Sequence, residues 1–100
     1  MAPYPIPMTS PWPVFDAHAD TLQRALDLGH DLSVAGPGHL DLERGRAGGL
    51  GALVFVNWVD PQYLERGPGA TRDRTRALLA EFHRLCREHP EAVRFAGNGE

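Results

Sequence analysis

The chain has 100 residues, 42% of them hydrophobic and 23% charged, with a formal net charge of −3. That balance is globular, too apolar for disorder and too short for more than one domain or a piece of a larger one. The negative charge removes the electrostatic reason to expect nucleic acid or an anionic membrane as a partner; Arg72, Arg74 and Arg76 lie close together, but Asp73, Glu81 and Glu88 are interleaved with or follow them, as on a solvated helix face.

The first thirteen residues hold five of the nine prolines and no charge. Each proline fixes its own φ and biases its predecessor away from helix, so residues 1–13 read as an extended lead-in. A secretory signal needs a basic start and an apolar stretch of roughly 7–15 residues, and this segment has neither. The longest uncharged apolar run, residues 47–59, is shorter than the roughly 20 residues of a membrane helix. The single Cys86 excludes an intrachain disulfide and fits a reducing compartment. A cytoplasmic protein without a transmembrane segment is expected.

Residues 14–17 form the first apolar strand. Leu22, Ala25, Leu26 and Gly29 follow at helical spacing, which predicts a short helix over 21–28 with Gly29 as its stop. Gly36-Pro37-Gly38 punctuates a loop. Residues 40–47 suit a second short helix, with Asp41 near its N-terminus and Gly48-Gly49 ending it. The second strand is expected over 50–59, apolar on both faces as in a parallel strand covered by helices. Asp60-Pro61 closes it, and 62–69 reads as a loop.

Thr71 is the expected N-cap of the long helix over 71–89. Its inner stripe is Thr75, Leu78, Phe82, Leu85, Cys86 and His89. Pro90 ends it, and 93–96 could open a further strand. Strands alternating with helices point to βαβ units and a parallel sheet.

The chemistry gathers at the end of the first strand. Residues two apart on an extended strand face the same side, roughly 6.5 Å apart. There the His18 imidazole and the Asp20 carboxylate can converge on one metal ion with bonds of about 2 Å. Asp16 has the same parity, one step deeper. The spacing alone arises by chance in roughly one chain in three of this composition, and His39-Leu40-Asp41 repeats it. Position separates the two: His18 and Asp20 end a strand, where β/α proteins gather functional groups, whereas His39 and Asp41 enter a helix, where capping is the simpler role.

Weaker candidates have structural explanations. Cys86 lies on the apolar stripe, as an inert core thiol would. His89 suits the dipole at a helix C-terminus, and His83 falls off the stripe. His30 adjoins the loop after Gly29 and could approach the strand end. Asn57 and Trp58 close the second strand and could line a pocket there, with core packing as the competing role for Trp58.

The run Phe15-Asp16-Ala17-His18-Ala19-Asp20-Thr21 resembles the opening signature of the membrane (renal) dipeptidase family of metallopeptidases. The likeness continues in His39-Leu40-Asp41-Leu42, in Arg46-Ala47-Gly48-Gly49-Leu50-Gly51-Ala52, in Phe55, and in the long helix followed by Pro90 and Val93-Arg94-Phe95-Ala96. It runs in order through nearly all of residues 14–100.

The resemblance implies the N-terminal β/α units of a (β/α)8 TIM-type barrel, incomplete in this chain because such a barrel needs about 250 residues. It implies a zinc-dependent dipeptidase in which a metal-activated water attacks the dipeptide bond, with His18 and Asp20 as ligands to one of two zinc ions. The family's bridging glutamate and later histidines would come from strands beyond Phe95, so Glu100 is not that glutamate. The simplest role for Asp16 beside such a site is to hydrogen-bond a ligand or to stand as an inward-facing structural carboxylate. A dipeptide is the implied substrate, and a homodimer of the complete enzyme is compatible with the resemblance. The isolated chain is expected to lack activity, to bind zinc weakly and to aggregate through unpaired strand edges. Two alternatives stay open: another amidohydrolase-like metal hydrolase, whose first strand would carry His-x-His rather than His-x-Asp, and a non-catalytic α/β binding module.

Overall fold

The computed structural model describes residues 12–98. The predicted lead-in therefore lies outside the described residues apart from Trp12 and Pro13. The chain runs β1 (Val14–Ala19), α1 (Leu22–Leu28), α2 (Leu42–Ala47), β2 (Leu50–Phe55), a 3-10 turn (Pro61–Arg66) and α3 (Ala70–Glu88). β1 and β2 pair in parallel, so the chain is a small mixed α/β domain built on a two-stranded parallel sheet with helices. Among the described residues no helix is long and apolar enough to cross a membrane.

Local chemistry sets most boundaries. α1 stops at Gly29, whose φ of 70° is left-handed and whose N–H donates back to the Ala25 carbonyl at 3.2 Å. α2 starts at Asp41, which accepts the Arg44 backbone N–H, and ends at Gly48. Gly45 lets α2 approach β2 closely, since a Cβ there would lie 3.0 Å from Leu50 Cδ2.

Leu22, Leu32, Leu78 and Leu85 form the buried core, with Phe55, Phe82, Leu42 and Val93 packed against it. The predicted inner stripe of α3 thus faces inward. Arg74 pins α3 to α1 through a bidentate pair with Asp27 at 2.7 and 2.8 Å, and its guanidinium also lies 5.1 Å from the Tyr63 ring of the 3-10 turn. Leu53 and Phe55 line a small apolar gap with Leu32, Leu40 and Leu42. Phe15 and Val54, by contrast, remain 64% and 44% exposed. β2 is apolar on both faces, as expected, but only one face is covered.

Several assignments differ from the sequence reading, beginning with β1, which runs to Ala19 rather than ending at residue 17. β2 ends at Phe55 rather than at residue 59, because β1 turns into α1 after Ala19 and the last bond to it is Val56 N–H to the Ala19 carbonyl, 2.9 Å. Part of the 62–69 loop is a 3-10 turn, nucleated by Asp60, which accepts the Gln62 N–H, and by Pro61. α3 is capped by Gly69 in a left-handed conformation (φ 82°), not by Thr71. Residues 93–96 form no strand; Phe95 instead lays its ring edge-on against Phe82 at 5.8 Å.

Candidate metal centre

The C-terminal end of β1 carries His18 and Asp20 at the point where the chain leaves the sheet. The Asp20 carbonyl already accepts the Gln23 N–H at 3.3 Å, opening α1, and the Thr21 hydroxyl donates to the Leu40 carbonyl at 3.3 Å. These bonds anchor the strand–helix corner on both sides.

His18 Nε2 and Asp20 Oδ2 lie 3.2 Å apart, with the two side chains 66% and 48% exposed. Two ligands bound at about 2.0–2.1 Å to a tetrahedral zinc ion stand about 3.3–3.4 Å from one another. The spacing of the two atoms thus fits one edge of a zinc coordination shell, and an imidazole nitrogen with a carboxylate oxygen is an ordinary zinc donor set. Their exposure leaves room for an ion and for further ligands. Among the described residues no three His, Cys, Asp or Glu side chains come together. The pair supplies two ligands, where a catalytic mononuclear zinc usually has three from protein.

Asp16 turns toward the backbone. Its Oδ1 accepts the His18 N–H at 3.0 Å. Strict alternation from Asp16 to Asp20 also fails: β1 advances from Asp16 to Ala19 while β2 advances only from Leu53 to Phe55, so the strand carries an irregularity there. The Asp16–His18 bond itself is local, since an aspartate readily bonds the N–H two residues on.

The second His-x-Asp is a capping structure. Asp41 is 4% exposed and accepts the Arg44 N–H at 2.8 Å, the Arg44 Nε–H at 2.6 Å and the Gly36 N–H at 3.3 Å. Arg44 closes the loop by donating to the Gly36 and Gly38 carbonyls. Burial pushes the Asp41 carboxyl up, but the hydrogen bonds from Arg44 and Gly36 outweigh it and hold it below the usual carboxylate range. His39 is exposed.

The remaining candidates do not join the pair. His30 packs beside Arg24 and the Gly38 backbone, with Nδ1 buried and without a protein partner. Cys86 is half-buried, and burial pushes its thiol up despite a backbone hydrogen bond involving Phe95, which suits an inert thiol. His83 is exposed and His89 sits at the C-terminus of α3. Asn57 and Trp58 follow β2 at the same end of the sheet as His18 and Asp20. Trp58 is 47% exposed, so core packing does not account for it, whereas Asn57 Oδ1 is buried without a protein partner.

No family model, no curated protein and no solved structure matches this chain.

Proposed function

We propose that this chain is the N-terminal part of a zinc-dependent dipeptidase of the membrane dipeptidase type, contributing the first two β/α units of a (β/α)8 barrel. The observation that carries this reading is the convergence of His18 Nε2 and Asp20 Oδ2 to 3.2 Å at the C-terminal end of a parallel strand. That end of the strands is where barrel enzymes build their active sites. The bare sheet face around Phe15 and Val54 is in keeping with it, because a barrel interior would cover that apolar surface.

In this reading His18 and Asp20 hold one zinc ion of a pair and the remaining ligands come from later strands. When bound, the zinc pair supplies an activated water and polarises the scissile carbonyl. Asp20 contributes a negative charge to the cation, and the anchored corner at Thr21 fixes the direction from which both ligands approach. The substrate is a dipeptide, and cytoplasmic placement belongs to the same proposal.

The test is metal binding by the 100-residue chain. Cobalt(II), read by its visible absorption, is expected to bind weakly at one equivalent, with binding lost in both His18→Ala and Asp20→Ala. Uptake that ignores both substitutions would refute the assignment. Dipeptide hydrolysis by the chain alone, abolished in His18→Ala, would refute the placement of the other ligands outside it. The exposed Phe15 and Val54 also favour, as a second reading, a non-catalytic α/β module that docks through its sheet; no metal uptake at all would select it.

A further inference from the structure

Asp16 is half-buried and makes a contact that the zinc pair itself does not explain. No arginine or histidine pairs with its carboxylate among the salt bridges of the described residues; its one hydrogen bond goes to the backbone of His18, Oδ1 accepting that N–H at 3.0 Å. This N–H falls within the segment where β1 loses register against β2, between the pairs Asp16–Leu53 and Ala19–Phe55. β1 spends one residue more than β2 over this interval, which is the definition of a bulge. A residue inside a bulge loses its ladder acceptor, and its N–H must find another.

The bulge also decides direction. In a regular strand each residue alternates faces, and one inserted residue reverses the faces of those that follow. Ala19 is buried, paired with Phe55, while His18 and Asp20 on either side of it stay exposed and meet at 3.2 Å. Bulges of this kind re-aim side chains next to functional sites.

We propose that Asp16 is a positioning residue for the metal pair: its carboxylate oxygen takes the His18 N–H that the bulge frees from the ladder, and so holds His18 in the conformation that faces Asp20. The inference rests on the zinc reading of His18 and Asp20. Asp16 acts as a hydrogen-bond acceptor, and its negative charge is not required. Asparagine, which keeps the Oδ1 acceptor at the same reach, should therefore replace it, whereas alanine should not.

The experiment compares the full chain with Asp16→Ala and Asp16→Asn by amide hydrogen exchange at His18 and by cobalt(II) titration. Asp16→Ala should speed exchange at His18 by about tenfold or more and weaken cobalt binding by about 10–100-fold, the usual effect of losing a group that orients a ligand. Asp16→Asn should restore both. The proposal is overturned if Asp16→Ala leaves His18 exchange and cobalt affinity unchanged, or if Asp16→Asn behaves like Asp16→Ala. Should the alanine variant fail to fold, Asp16→Asn still decides: it must keep the His18 amide protected and bind cobalt as the unsubstituted chain does. A chain that takes up no cobalt sinks the zinc reading, and unprotected exchange at His18 in the unsubstituted chain sinks the role of Asp16 separately.

Discussion

Asp41→Ala should destabilise the domain more than an ordinary cap substitution. Asp41 is 4% exposed and receives three hydrogen bonds, two from Arg44 and one from the Gly36 backbone. Losing the cap costs about 1 kcal/mol. Leaving the Gly36 N–H unpaired costs about 1 kcal/mol more. The ionic bond from Arg44 would be worth more than either if buried, but the Arg44 side chain is 47% exposed, which reduces it to about 1 kcal/mol. The sum of about 3 kcal/mol corresponds to a melting point lower by about 12–24 °C in a domain of this size. Urea unfolding followed by far-UV circular dichroism measures the free-energy change directly, and Asp41→Asn, which keeps the cap acceptor, should fall between the two. A loss below about 1 kcal/mol in Asp41→Ala would refute this account, because it would reduce Asp41 to a solvated cap.

The same carboxylate predicts a pH dependence. Its folded pKa lies below the ordinary value of 3.8, so its contribution is fully present above that value and is lost as the pH falls through the lower folded value; urea midpoints between pH 5 and pH 2.5 (about one unit on either side of the ordinary value) should drop more in the unsubstituted chain than in Asp41→Asn. Leu78→Ala removes a side chain with 0% exposure and should cost about 2–5 kcal/mol, whereas Leu79→Ala, at 40% exposure, should cost under about 1 kcal/mol; equal losses would contradict the placement of the core. Phe15→Lys with Val54→Lys should reduce light scattering of concentrated chain while leaving the unfolding free energy within about 0.5 kcal/mol, and unchanged scattering would show that the bare sheet face does not drive association.

The long helix, its inner stripe and the stop at Gly29 were legible in the sequence because they depend on local spacing and on one residue's conformational freedom. The His18–Asp20 pairing was legible for the same reason, since both side chains belong to one short segment. The bulge was not, because register exists only between two strands and Leu53 and Phe55 set half of it. Asp16 shares the parity of His18 and Asp20 only in an unbroken alternation, which the register shift interrupts. The end of β2 was equally non-local: the apolar character of residues 56–59 suits a strand, but β1 has already turned away at Ala19. Nor does an apolar composition reveal which face of a sheet finds a partner, and Phe15 and Val54 are exposed for that reason.

The parallel pairing of β1 with β2 has a kinetic consequence for the His18–Asp20 pair. Antiparallel neighbours can meet through a tight turn, but β1 must wait for a strand that lies beyond α1, a loop and α2. Closing a segment of roughly 35 residues costs about 3 kcal/mol of chain entropy before any ladder bond forms. Short helices such as α1 relax within about a microsecond, so they can come and go many times before the strands meet. His18 and Asp20 are neighbours in sequence at every moment, yet the bulge between Asp16 and Ala19 acquires its shape only once β2 has docked. The assembly of this pair is thus timed by the slow closure of the crossover rather than by the two residues that compose it.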